Sequence, residues 1–451
     1  MRKIILVFFI LLSFGFSKNQ ENIVTAEDIV SLYANYKLKR DEIFEKKIIR
    51  PRVKNFAEYL YLGLVELKEP NKGDALAYGA VLSLLSKQGR DIFIPDGYEK
   101  LGDKIKREIK LIIEANKTTT SPILGVRINY RLFQVPPKYS DDKEFYRAMK
   151  FAQTMPFFVN YSKITKVDKK TSNKLLETAY IINKTINSSE RLTNLYKQIN
   201  SSLERFVGIE NDLPINSLDA IKDKNSTVIR VKLNQNPKYP IISDIPFLLS
   251  HYDKKTRGKV SMSIRLFPSR YTLDSYIFAN TPKSRVEKIS KPTLNDIIKI
   301  ISPKRKIKSA YSRYPKKIQE IKSVVDKKLL TLNSSYDYDF KIMQTLIKSN
   351  HIKAFKLYYQ KTKERTKLYG NKTRVVKTRD ISKKRKTKIE SNLSKTLDVM
   401  IEESLLFASS NYKNSPDMKM VNRLRKIRNI ALKSEKNIKL SKEDIEFLSR
   451  F

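Results

Sequence analysis

Cysteine and tryptophan are absent from the 451 residues, and histidine occurs only twice. Without cysteine the chain has no disulfides, no thiolate metal ligands and no attachment point for an N-terminal lipid. Glycine is scarce as well, at 11 residues, and none of them sits in a phosphate-cradling loop, which argues against nucleotide chemistry. His251 and His351 stand far apart, outside any ligand-spaced cluster. Each reads as a surface or helix-capping residue rather than as part of a zinc site or a Ser/His/Asp triad. No cofactor, no metal site and no catalytic group is expected from these residues.

Long apolar runs are also missing, with one exception. The chain opens with MRK, continues IILVFFILLSFGF without a charge, and exits through SKNQEN. A basic start, a short apolar core and a polar exit have the form of a secretory signal, and the core falls short of the ~20 apolar residues of a membrane span. Gly15 and Ser17 are the small residues a signal peptidase inspects, so residues 1–17 are expected to be cleaved off after Ser17. The competing arrangement, favoured by bulky Phe16, is a retained anchor. Either way the protein is expected to be exported, to the periplasm, the cell surface or beyond.

What is abundant is positive charge. Lys and Arg number 91 against 47 Asp and Glu, a formal net charge of +44. A field of that size attracts polyanions. Overuse of Lys, Ile and Asn without Trp is also the residue bias of an AT-rich genome, and the excess spreads along the whole chain. With 40% hydrophobic residues, the remainder after residue 17 can bury one large core or two lobes.

Helical spacing dominates. Thr25 with Asp28 resembles a capping box ahead of Ile29, Leu32 and Tyr33. Phe56–Leu67 and the ALAYGAVLSLLSK segment read as buried helices. Leu101, Ile105, Ile109, Ile112 and Ile113 form one stripe, and Leu192, Leu195, Tyr196, Ile199, Leu203 and Phe206 another, closed by Gly208 at a C-cap. The period then changes. Ile229, Val231 and Leu233 alternate with Arg230 and Lys232, and Val260, Met262, Ile264 and Leu266 alternate with Ser261, Ser263 and Arg265. Two strands, each with one wet face, are predicted there. After residue 285 helices return, with Ser441 and Asp444 capping the last. The expected fold is mainly α, a multi-helix globular body with a small β element in mid-chain. A helical region over 18–220, a mixed region over 221–285 and a helical region over 286–451 are expected to form one continuous unit.

Five segments in order carry a family resemblance: ALAYGAVLSLL, LGDKIKREIKLIIEANKTTTSPILG, PPKYSDDKEFYRAMKFAQTMPFF, IRLFPSRYTLDSYIF and KPTLNDIIKIISPKRKIKSAYSRYPKKIQEI. This order resembles the uncharacterised secreted bacterial family called domain of unknown function 3160, over roughly residues 55–451. The family's Tyr-Phe-Arg-Ala-Met element is matched by Phe145, Tyr146, Arg147, Ala148 and Met149, and its Gln-Arg-Phe/Tyr-x-x-Asp-Ser element by Arg270, Tyr271, Asp274 and Ser275. The chain departs from the family at its late Arg-His-Asp-Thr element, where Met400, Ile401, Glu402 and Glu403 stand, and in lacking an early His-containing helix. The resemblance implies a largely helical secreted protein and no particular activity.

Candidate chemistry is sparse. Asp141 with Asp142 and Glu144, Asp337 with Asp339, and Glu402 with Glu403 are carboxylates suited to acid/base work. Each has a plainer place: a helix N-terminus for the first group, a polar-aromatic connector for SYDYDF, and balance for nearby lysines at 402–403. Basic runs hold Lys304, Arg305 and Lys306, then Lys383, Lys384 and Arg385, with Tyr311, Tyr314, Tyr358, Tyr359 and Tyr369 interleaved. Such runs suit anionic polymers of the envelope or host, or an anionic lipid surface, better than nucleic acid in an exported protein, so no dedicated nucleic-acid site is expected. Arg270 and Asp274 are the remaining candidate binding residues; the plainer expectation makes them part of a strand-to-helix corner over 260–278. The sequence therefore points to a binding or structural component with a strongly basic surface, with a carboxylate-dependent hydrolase of an envelope or extracellular polymer as the alternative. Mass spectrometry of the native protein is expected to find its first residue at Lys18; a retained Met1 would mean an anchored chain.

Overall fold

The computed structural model describes residues 23–87, 92–162, 165–208, 210, 212–235, 262–270, 272–280, 294–302, 314–365, 388–407 and 416–450. The signal segment, His251 and both candidate basic triplets lie outside them. The protein is mainly α, with a few short strands.

Strand β1 (Ile23–Val24) leads into α1 (Ala26–Phe44), which Thr25 and Asp28 start through a complete capping box. A π-turn (Glu45–Ile49) joins α1 to α2 (Arg50–Glu66) with helical backbone on both sides, so the three form one rod. Pro51 explains the π-turn. A proline at that position lacks an N–H and crowds the carbonyl four residues back, and widening the turn relieves both. Next come α3 (Gly73–Ser86), α4 (Leu101–Glu114), the hairpin β2 (Thr118–Thr120) and β3 (Arg127–Asn129), and α5 (Lys143–Thr154). Strand β4 (Phe157–Phe158), α6 (Lys169–Asn187), α7 (Glu190–Val207), β5 (Leu213–Pro214), α8 (Ser226–Gln235) and β6 (Ser263–Arg265) complete the first half. Helices α9 (Leu273–Asn280), α10 (Leu294–Ile301), α11 (Tyr314–Lys328), α12 (Ser335–Lys348) and α13 (Ile352–Arg365) follow. The chain then passes through β7 (Lys388–Ile389), α14 (Ser394–Phe407), α15 (Pro416–Glu435) and α16 (Lys442–Ser449).

Two hydrophobic cores result. The first gathers buried side chains from Ile49 to Phe267. The second joins Val24–Ala34 of β1 and α1 to residues from Leu273 to Leu448. The chain passes between them twice among the described residues: along the rod at the π-turn, and between Phe267 and Leu273. The parallel pair β1–β7 ties the start of α1 into the second core.

Strand β6 is the middle of a three-stranded sheet, antiparallel to β4 and parallel to β5. Its predicted wet face is absent. Ser263, Ile264 and Arg265 are all buried, because Asp212 meets the polar side: its carboxylate accepts from the Ser263 hydroxyl at 2.6 Å and pairs with Arg265 at 3.2 Å. The strand expected at Ile229–Leu233 is instead helix α8. Asn225 starts it, its side chain accepting from the Thr227 N–H at 2.9 Å and its carbonyl from Ile229 at 3.0 Å. Ile229 and Leu233, one helical turn apart, face the core while Val231 is half exposed. A five-residue alternation satisfies both periods, and the local cap decided between them. At the other predicted cap, Gly208 does end α7, at φ 121°.

Glu108 of α4 is the buried carboxylate of the first core that has only neutral donors. It accepts from the Ser121 and Tyr130 hydroxyls, each at 2.6 Å. Burial raises its pKa above the ordinary glutamate value, partly opposed by those hydrogen bonds. Between the ordinary and the raised value the folded state holds a proton that the unfolded chain releases, so this group's contribution to stability falls as pH rises. Urea unfolding of the wild type and of Glu108→Gln from about pH 4 to 7 is expected to show the wild type losing ground against the variant as pH increases. A pH-independent difference would refute the shift.

Candidate functional site

Both passages between the cores carry buried charge on each side. On the rod, Lys37 and Arg40 of α1 enter the second core. The Lys37 ammonium lies 2.5 Å from Asp339 of α12 and 3.0 Å from Glu403 of α14, and all three side chains are fully buried. Arg40 binds the same Glu403 at 2.9 Å. The Glu403 carboxylate also accepts from the hydroxyls of Tyr33 and, at 2.6 Å, Ser335, while Asp339 accepts from Tyr358 at 2.7 Å. Burial works against the Arg40 guanidinium, but the fields of Glu403 and Asp41 outweigh it and keep it cationic beyond its ordinary range. Burial, then the Glu403 charge, hold the Tyr33 phenol neutral far above its usual pKa.

Past the π-turn, the rod's charges face the first core. Arg50 bonds Glu45 at 2.9 Å and Asp142 at 2.6 Å, with its guanidinium over the Phe145 and Tyr139 rings. Glu45 is buried and also accepts from Tyr139 at 2.9 Å. Asp142 is the N-cap of α5, accepting from the Phe145 N–H. This is the helix N-terminus expected for the acidic group at 141–144. Beside it opens a cleft of about 560 Å³ lined by Lys46, Lys54, Asp141 and Glu144 among others.

The second passage contains the two candidate binding residues. Arg270 is fully buried; it pairs with Glu210 at 2.7 Å and donates to Asn200 Oδ1 of α7 at 2.6 Å, both on the first-core side. Asp274, in the first turn of α9, is buried on the other side and accepts from Tyr359 of α13 at 3.2 Å. Lys363 donates to the same Tyr359 hydroxyl at 3.0 Å, and burial depresses the lysine's pKa against the pull of Asp274. Arg270 and Asp274 thus each grip a different core.

Of the carboxylate candidates, Asp339 and Glu403 meet although they come from different sequence pairs. Asp337 is in a helix, not a connector: with Ser334 it forms a capping box that starts α12. Glu402 accepts from Tyr338 at 3.0 Å. Tyr358 and Tyr359 are core residues and do not interleave an exposed basic surface. His351 precedes α13, its ring facing Glu390 at 3.2 Å and the Ser391 carbonyl at 3.1 Å. Among the described residues, no three His, Asp or Glu side chains converge to hold a metal ion.

Sequence reasoning missed Lys37 and Arg40. One signal was available: two cations on a helix whose neighbours Tyr33, Ala34 and Ile29 mark the buried face. Replacing Lys37 by Met leaves Asp339 and Glu403 sharing the core without the ammonium between them, and such a broken buried pair costs about 3–5 kcal/mol. Chemical denaturation of Lys37→Met is expected to show a loss of that size, eased at low pH where a carboxylate can take up a proton. A loss below about 1 kcal/mol, the scale of an exposed pair, would contradict this account.

A family model described as "Protein of unknown function (DUF3160)" matches residues 22–328. The match includes α1 and ends with α11, before the Met400–Glu403 stretch. No curated protein and no solved structure matches the chain.

Proposed function

The chain belongs to the DUF3160 family of proteins of unknown function, and on that premise we propose that it is an exported protein of the cell envelope or its surroundings that works by binding anionic partners. The observation that carries the choice of binding over hydrolysis is the state of Asp339 and Glu403. A carboxylate pair that cleaves a glycosidic bond holds substrate or water between its members. Here an ammonium occupies that place, bonded to both, and neither carboxylate reaches solvent. These residues are spent on holding α1, α12 and α14 together.

Export is supported by the basic start and short apolar core of residues 1–17. Anionic partners are supported by the net charge of +44. The candidate residues for such contacts remain Lys304, Arg305, Lys306, Lys383, Lys384 and Arg385, with other exposed lysines. Exposed charges more than about 8 Å apart are largely screened at physiological ionic strength. Binding of the processed protein to an anionic polymer, followed through a salt series, is therefore expected to weaken steeply as salt rises. Affinity for one polymer that survives high salt would point to a shaped site and overturn a surface-charge mechanism.

A further inference from the structure

The corner where α15 turns into α16 combines two features that a soluble polyanion would not use together. Lys436, Lys439 and Lys442 are exposed there. Ile438, between the first two, is 52% exposed, and Ile445, three residues past the third, is 37% exposed, while Leu448 is fully buried. The exposure of Ile438 is fixed by backbone geometry. Asn437 takes the left-handed conformation at φ 55°, and the N–H groups of Asn437 and Ile438 close back on the carbonyls of Ser434 and Lys433 at 3.1 and 2.7 Å. That is a helix C-cap, which sets the direction in which the following residues leave.

The acidic residues of the corner are mostly committed elsewhere. Glu435 caps the start of α14, accepting from the N–H groups of Leu393 and Ser394 and from the Ser394 hydroxyl. Asp444 starts α16 and pairs with Lys433 at 2.7 Å. Glu446 pairs with Arg450. Glu443 is exposed and offsets one of the three lysines. The corner therefore carries net positive charge together with two partly exposed aliphatic side chains.

We propose that this corner is where the protein meets an anionic lipid surface, an inference that rests on the reading of the protein as an exported binder of anionic partners. A charged polymer would satisfy the lysines and leave the isoleucines in water. A bilayer interface satisfies both, because lysines remain at headgroup level while aliphatic side chains enter the acyl boundary. A lysine near an anionic bilayer contributes about 1 kcal/mol, roughly a fivefold change in partitioning.

Vesicle sedimentation of the processed protein tests this, using phosphatidylglycerol-containing and purely zwitterionic vesicles, with poly-glutamate as the soluble polyanion. The expectation is binding to the anionic but not to the zwitterionic vesicles, weakened on the order of a hundredfold in the triple variant Lys436→Glu, Lys439→Glu, Lys442→Glu. The double variant Ile438→Ser, Ile445→Ser is expected to lose vesicle binding roughly tenfold with poly-glutamate binding unchanged. Thermal melts check that both variants fold; the core-facing residue of α16, Leu448, is left unchanged in each. Vesicle binding untouched by either variant overturns the assignment of this corner. Sensitivity to the lysines alone makes the contact a polyelectrolyte one and overturns the lipid assignment, as does binding to poly-glutamate without binding to vesicles. Binding to neither probe removes the broader reading of the protein as a binder of anions as well.

Discussion

The ammonium of Lys37, held between two carboxylates from helices far away in sequence, is the contact on which the arrangement of the second core depends. Apolar burial alone would hold α1 against α12 and α14 without fixing how far it slides or rotates, since Leu, Ile and Tyr side chains repack at modest cost. A buried ion group does not slide. Moving α1 by one turn would leave Asp339 and Glu403 in the core without their cation, at several kcal/mol. Desolvation makes such a group weak as a source of net stability and strong as a constraint on register. That constraint reaches beyond the second core, because α1 continues as the rod that enters the first.

The same device recurs wherever the chain changes cores. On the rod, Lys37 and Arg40 face one core, and Glu45, which opens the π-turn, and Arg50, which follows it, face the other. In the strand-to-helix passage, Arg270 is fixed by Glu210 and Asn200 while Asp274, four residues on, is fixed by Tyr359. Each passage is therefore held from both ends by buried polar contacts, and Phe267 and Leu273 supply the apolar anchors beside the second one. The odd mixture in IRLFPSRYTLDSYIF follows from this task. Its apolar residues belong to two cores, and its three charges, Arg265, Arg270 and Asp274, are the fastenings.

Local features of this fold were legible in the sequence, and long-range ones were not. The capping boxes at Thr25/Asp28 and Ser441/Asp444 and the C-cap at Gly208 are decided within a few residues, so the pattern carries them. Ile229–Leu233 misled because an apolar alternation that short fits a helix whose middle apolar residue is half exposed. SYDYDF reads as a polar-aromatic connector, yet it opens helix α12. The partners of its aspartates, Ser334 for Asp337 and Lys37 for Asp339, explain why they are tolerated, and only the first is close in sequence. No reading of one sequence pairs Lys37 with Glu403 in preference to any of the chain's other carboxylates.

Burial also redistributes the charge that the composition reports. Arg40, Arg50, Arg265 and Arg270 go inward with at least one acidic partner each, and Lys37 goes inward with two. Glu108 goes inward with no cation at all, held by hydroxyls and a backbone amide. Lysines, which are the bulk of the cations, are costly to bury and stay outside with few exceptions. Among the described residues eight carboxylates are buried, Glu45, Glu108, Asp212, Asp274, Asp337, Asp339, Glu403 and Asp444, against six cations, Lys37, Lys72, Lys150, Arg265, Arg270 and Lys363, although cations are the more numerous in the sequence. Fastening the interior therefore has a consequence outside it: every aspartate or glutamate buried to fix a helix is one fewer available to neutralise cations elsewhere on the chain.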